Sequence, residues 1–225
     1  MTLSQTLRDG TASERIADGL RQSILGGEYP PGSRIIQDDL SARYGGSRIP
    51  VREALHQLET EGLVRMVANT GAWVASLTMA ECSEVYQTRE RIEPLLLRFS
   101  AEHLTKDTLA QLDDLANRME QSAEVEEFLE LDRQFHFATY RGSTTHTLGP
   151  LVARLWNATQ PYRRAYTTLV GSRNRRIFHD EHHMLVTALY DGDLELAEQV
   201  LALHIRRTRL HLERHPELFD PTPTQ

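Results

Sequence analysis

Gly46-Ser47-Arg48-Ile49-Pro50-Val51-Arg52-Glu53-Ala54-Leu55 is the stretch on which the architecture turns. Val51, Ala54, Leu55 and Leu58 recur at helical spacing and form one apolar face. Arg52, His56 and Ile49 point away from it, with Arg48 at the edge. Pro50 falls in the first turn, where a missing N–H costs little, and Ser47 is a residue type that caps helices. The helix is expected to run to about Glu61, with Gly62 closing it.

On either side the pattern changes. Upstream, Ile16, Leu20 and Ile24 repeat every four residues from Thr11 to Leu25, and Gly26-Gly27 stops them. Tyr29-Pro30-Pro31-Gly32 is a rigid turn, and Gln37 to Tyr44 reads as a short second helix ended by Gly45-Gly46. Downstream the period drops to two. Leu63 to Val67 and Ala72 to Ser76 read as strands, with Ala68-Asn69-Thr70-Gly71 as the turn between them. Three short helices and a hairpin within about 70 residues outline a winged helix-turn-helix.

The remainder reads as helix throughout. Thr78-Met79-Ala80-Glu81 fits a capping box, and helical stretches are expected near 79–102, 105–120, 124–141, 147–168, 173–191 and 193–214. Gly142, Gly171 and Gly192 mark breaks, and the proline-bearing end from Pro216 to Gln225 is expected to be loose. The expected fold class is therefore mainly α. A winged helix-turn-helix occupies 1–77, an all-α antiparallel bundle occupies 78–217, and a loose tail occupies 218–225.

Composition narrows the function classes. The 225 residues have the 40% hydrophobic and 25% charged content of an ordinary globular chain. No apolar run approaches the roughly 20 residues a bilayer requires, and the first 20 residues lack the pattern of a secretory signal, so a cytoplasmic location is expected. Cys82 is the single cysteine, which excludes an intrachain disulfide and a thiolate zinc site. The net charge is -7, and residues 8–77 hold eight Arg against nine Asp and Glu. Any duplex binding must then come from a few placed arginines rather than from bulk charge. Arg48 and Arg52, four apart, can reach one groove, where arginine reads guanine edges or phosphate. Read without context, the same pair is two solvated arginines on an ordinary helix.

From Ile24 to Ile35, then from Ser47 to Leu55, and on through Leu58, Glu59, Glu61-Gly62-Leu63-Val64 and Gly71-Ala72-Trp73-Val74, the sequence resembles the DNA-binding domain of GntR-family regulators. The resemblance covers about residues 12–77. It implies that Ser47, Arg48, Arg52 and Gly71 contact double-stranded operator DNA. Ile49 departs from the family's usual threonine, which removes a hydroxyl near the DNA.

In the second region Asp132 and His136 lie four apart on one helical face and can chelate one ion. His182 and His204 sit among apolar residues at helical spacing, and ligands from facing helices are a common way to build a site in a bundle. Each histidine alone also fits a hydrogen-bonded structural role. The set Asp132-x3-His136, Glu181-His182 and His204, together with Arg89-x2-Ile92-Glu93-Pro94, resembles the FCD effector domain of the FadR-like GntR subfamily. That resemblance implies a divalent ion held by Asp132, His136, His182 and His204, with His183 and His179 as competing positions. Zinc fits such a donor set, as do nickel and other first-row ions. It further implies repression relieved by a small organic acid; the need for paired half-sites makes a homodimer the expected form, and with no long apolar run no membrane partner is expected. Arg89 is the candidate to pair with that acid's carboxylate, or else to form a helix pair with Glu93. Tyr162, Arg163, Arg164, Tyr166 and Asn157 are further pocket candidates. Two other readings remain at this point: a histidine cluster with no metal, and a metal-dependent hydrolase. The hydrolase lacks a clear general base beside the ligands and any HExxH helix.

Overall fold

The computed structural model describes residues 11–45, 47–68, 70–171 and 176–219. Gly46 and Asn69 of the expected turns, the start of the helix expected at 173, and the terminal residues 1–10 and 220–225 lie outside the described residues. The chain divides into two compact units. One is built on the chain up to Leu77 together with Arg154–Pro161, and the other takes the rest from Thr78.

The first unit begins with α1, Ala12–Leu25. Thr11 and Glu14 form a reciprocal capping box, so two of the helix's orphan donors are satisfied at once. A two-residue strand β1 (Arg34–Ile35) precedes α2 (Gln37–Tyr44), which ends at Gly45 in the left-handed region. α3 spans Arg48–Thr60 and buries Val51, Ala54, Leu55 and Leu58 against Ile16, Leu20 and Ile24 of α1. Ser47 stands at its N-cap position without a side-chain capping bond, contrary to the capping role expected of it, and is exposed.

β2 (Val64–Val67) and β3 (Gly71–Val74) form the hairpin, and β1 adds a third antiparallel strand in the order β1-β3-β2. β1 pairs Arg34 with Trp73 and Ile35 with Ala72. A strand of two residues is too short to display alternation, so only pairing with β3 reveals it. Gly71 has φ 110, which a side chain at that turn would oppose.

The second unit is all helix among the described residues. α4 (Met79–Ala101) is capped by the box of Thr78 and Glu81. It is followed by α5 (Lys106–Gln121), α6 (Val125–Thr139), α7 (Leu148–Val170), α8 (Arg176–Asp191) and α9 (Leu194–Leu212). α4 packs on α9, α9 on α8, α8 on α5 and α5 on α6. α4 and α9 run antiparallel, as the pairs Arg98–Glu198 and Ser83–Glu213 require. Gly142 lets the loop after α6 touch the end of α4: its N–H donates to Ser100 Oγ at 2.9 Å, and a Cβ there would lie 2.3 Å from the Ser100 carbonyl oxygen. Pro216–Phe219 is not loose as expected but forms a 3-10 turn, because the Phe219 ring stacks on Tyr162 at 4.6 Å. None of the described helices is long and apolar enough to cross a membrane.

Candidate functional sites

α3 presents Ser47, Arg48, Ile49, Arg52 and His56 on its solvent face because the opposite face is committed to the core. Arg48 uses one edge of its guanidinium on Asp38 of α2, Nε to Oδ1 at 3.0 Å and Nη2 to Oδ2 at 3.1 Å. Its Nη1 takes no part in that pair. Arg52 is exposed and forms no ion pair among the described residues. Ile49 is 72% exposed, an unusual position for a large aliphatic side chain. At the hairpin tip Arg34 donates to the Thr70 carbonyl at 3.0 Å and covers the Trp73 ring, so a cation braces the turn that contains Gly71.

In the second unit α6, α8 and α9 converge on one buried cluster. Asp132 and His136 come from α6, His182 from α8 and His204 from α9. Each offers one donor atom, and the four atoms lie within 4.8 Å of one another. His182 Nε2 is 3.3 Å from Asp132 Oδ1 and 3.4 Å from His136 Nε2, and His136 Nε2 is 3.7 Å from Asp132 Oδ1. Four ligands about 2.1 Å from a tetrahedral ion stand about 3.4 Å apart, close to these separations.

Electrostatics prepares the same atoms. Burial pushes the His136 pKa well below its ordinary value, and burial pushes that of His182 down to about 4 against the pull of Asp132. Both imidazoles are therefore neutral at pH 7 and keep a lone pair. Burial works to raise the Asp132 pKa, but the Arg163 guanidinium and the hydrogen bond from His182 outweigh it and hold the carboxylate ionised. His182 Nδ1 is buried with no hydrogen-bond partner among the described residues. His204 is oriented from behind: its Nδ1 meets Glu181 Oε2 at 3.0 Å, and Glu181 Oε1 accepts from Arg207 Nε at 2.6 Å. The tautomer with a proton on Nδ1 leaves Nε2 bare toward the cluster. One carboxylate and three imidazoles are a donor set that fits a divalent first-row ion.

A cavity of about 30 Å³ adjoins the cluster, lined by Asp132, His204, Arg163, Tyr166, Thr167 and Thr208 with Phe128, Val170 and Phe178. That is room for a few atoms only. Arg163 pairs with Asp132 inside it.

The sequence-based candidates separate clearly. His183 is turned away toward Glu120 at 3.3 Å, and His179 packs edge-on to Phe128, so the α8 member of the cluster is His182. Arg89 takes the second of its two expected roles. It pairs with Glu93 at 2.5 Å and covers the Tyr86 ring, Glu93 accepts in turn from Tyr140 at 2.6 Å, and Arg89 does not line the cavity. Arg163 and Tyr166 do line it, whereas Arg164 is drawn off by Glu126 and Tyr162 by Phe219. Glu181 carried no assigned role in the sequence; its place beside a candidate ligand in a helix was the one available signal.

Comparison with known proteins follows the same division. Residues 12–74 match the family described as bacterial regulatory proteins, gntR family, and residues 84–207 match the FCD domain. An uncharacterized HTH-type transcriptional regulator in an unstable DNA locus of Streptomyces ambofaciens is 30% identical over 89% of this chain and 86% of its own length. The HTH-type transcriptional repressor GlaR of Escherichia coli K12 is 26% identical over 83% of this chain and 89% of its own. The solved structure of E. coli McbR/YncC superposes with a TM-score of 0.81 at 24% identity, covering 92% of this chain and 99% of that one, and supports the fold.

Proposed function

The chain belongs to the gntR family of bacterial regulatory proteins and carries its FCD domain, and from that premise we propose that a divalent ion and a small organic acid, bound together in the helical unit, set its affinity for operator DNA. It is a DNA-binding transcriptional regulator; its family and relatives are regulators rather than enzymes.

The observation that carries the metal reading is the convergence of four buried donor atoms from Asp132, His136, His182 and His204 within 4.8 Å. When bound, a zinc, nickel or similar ion supplies a Lewis-acidic centre able to take an anionic oxygen as a further ligand. Arg163, rather than Arg89, is the side chain placed to pair with the acid's carboxylate, because it stands in the adjoining cavity. The cavity's small volume favours an acid of few atoms, or one whose entry displaces Arg163 from Asp132.

At the other end, Arg52 and the open edge of Arg48 read the major groove, the Ser47 hydroxyl meets a phosphate, and Gly71 lets the hairpin approach the adjacent minor groove. The protein acts as a cytoplasmic homodimer on a paired half-site. It is a repressor, as the name of GlaR says of that relative, and the acid releases it. The effector changes operator affinity only by the difference in its own affinity for the DNA-bound and free arrangements.

A second reading keeps the cluster metal-free, and the Arg163–Asp132 pair and the Glu181–His204 bond favour it by satisfying two members within the protein. One experiment separates them. Purified wild-type protein and the His136→Ala variant are analysed for bound metal, and each is titrated onto labelled operator with and without small carboxylates. An equimolar ion in the wild type, lost in the variant together with the acid response, supports the metal reading. A metal-free wild type that still responds to acid would sink it.

A further inference from the structure

α9 has an apolar stripe that its own unit does not cover. Leu196, Leu203 and Leu210 recur every seven residues and are 38%, 48% and 36% exposed. Gln199 and Arg206 lie between them on the same exposed face. The opposite face holds Ala197, Val200, Leu201, His204 and Ile205 in the core. Leucines spaced by seven form a straight seam along a helix, the pattern by which one helix packs into another. The neighbouring α4 exposes Leu95 and Phe99 as well.

Charge along α9 is segregated. Asp191, Asp193 and Glu195 stand at or just before its start, and Arg206, Arg207, Arg209, His211 and Arg214 stand at its end. Arg207 and Arg209 are engaged by Glu181 and Glu90, whereas Arg206 and Arg214 form no ion pair among the described residues. A groove lined by Leu203, Arg206, Arg207, Leu210, His211 and Arg214 runs along this end.

We infer that this face of α9 is the surface by which two copies of the chain pair, antiparallel about a two-fold axis at Leu203. Such a pairing sets Leu196 of one copy on Leu210 of the other and brings Leu203 against its own counterpart. It also lays the acidic start of each helix, Asp191 and Asp193, beside Arg214 of the other and opposes the two helix dipoles. A parallel pairing would instead stack arginine on arginine. The groove at the basic end takes a leucine of the copy as its knob. The inference rests on the dimer reading given above and adds its location.

The test uses the full-length chain. Sedimentation equilibrium is run on wild type and on Leu203→Glu, with circular dichroism to check that both are folded. Two glutamates facing each other at the axis are expected to raise the dimer dissociation constant by about 100-fold or more. Independently, Leu203→Cys is exposed to a mild oxidant. Cys82 is buried, so a covalent dimer reports on position 203. Leu151→Cys, on exposed α7 surface, is the control and is expected to stay uncrosslinked. A Leu203→Glu protein that remains dimeric, or a dimeric Leu203→Cys protein that does not crosslink, overturns this surface while leaving dimerisation standing. A wild-type chain that is monomeric throughout overturns both.

Discussion

Burial of His182 makes the metal-free protein acid-sensitive in a defined window. Burial holds this imidazole's pKa at about 4, against an ordinary value of 6.5. The unfolded chain therefore takes up a proton on this residue before the folded one does. The contribution is intact above pH 6.5, erodes as the pH falls, and reaches its full loss near pH 4. Linkage with these two values gives a loss of about 2 kcal/mol between about pH 7 and pH 5 from this one side chain. The carboxylates Asp132 and Glu181, whose pKa values are lowered, titrate at more acid pH and do not share the window. The assay is urea unfolding of chelator-treated protein at several pH values, comparing wild type with His182→Gln. Gln cannot titrate, so the variant's stability is expected to fall less than the wild type's across this range. Parallel pH profiles for the two proteins would show that His182 is not held neutral by its surroundings, and the argument that the cluster is prepared for a cation would lose its electrostatic half.

Other outcomes follow from other parts of the molecule. Arg52→Ala is expected to cost about 1–3 kcal/mol in operator affinity with an unchanged melting temperature, measured by anisotropy at fixed salt; wild-type affinity in that variant would remove it from the reading surface. Ile49→Thr exchanges an exposed aliphatic surface for a hydroxyl, so selection from a random duplex pool is expected to shift base preference at one position of each half-site, with loss of preference for a thymine methyl there. Glu181→Ala is expected to weaken the metal by about 10–100-fold, with Glu181→Gln recovering part of it because an amide oxygen still accepts from His204 Nδ1; equal affinities in competition with a chelator would contradict the orienting role. Gly142→Ala places a methyl against the Ser100 carbonyl and is expected to destabilise the helical unit by about 1–3 kcal/mol in denaturant unfolding.

What the sequence made legible depended on the distance over which its information was encoded. α3 and the hairpin could be read because apolar spacing changes from helical to alternating between Leu58 and Leu63, a local signal. Asp132 and His136 could be paired because four residues make one helical turn. Their union with His182 and His204 came only from resemblance, since nothing local says that α8 and α9 bring those two imidazoles to α6. β1 went unread because two residues cannot display a period. Arg163 was one of several polar residues on α7, and its partner Asp132 lies 31 positions away. Arg89 shows the opposite case. The local pair with Glu93 was visible in the sequence, and it is the one the fold adopts, because both groups are buried and a buried charge needs an opposite one beside it.

The Asp132–Arg163 pair gives the effector site its logic. The Arg163 guanidinium and the imidazoles of His136 and His182 all draw on the one buried carboxylate of Asp132, while Glu181 engages His204 from behind. A cation held by Asp132 and the histidines leaves more positive than negative charge in a small, buried space. Arg163 then shares its carboxylate partner Asp132 with the ion, which weakens that pair. An anion entering the cavity meets that excess of positive charge directly, beside Tyr166, Thr167 and Thr208 in the wall. Metal and acid are on this argument positively coupled: each should bind more tightly in the presence of the other, by the same factor. Calorimetric titration of a short carboxylate onto metal-loaded and chelator-treated protein measures that factor, and Arg163→Met, which keeps the bulk without the charge, should reduce it. Equal acid affinity with and without the ion would show the two sites to be independent and would leave Arg163 as a structural counter-charge to Asp132.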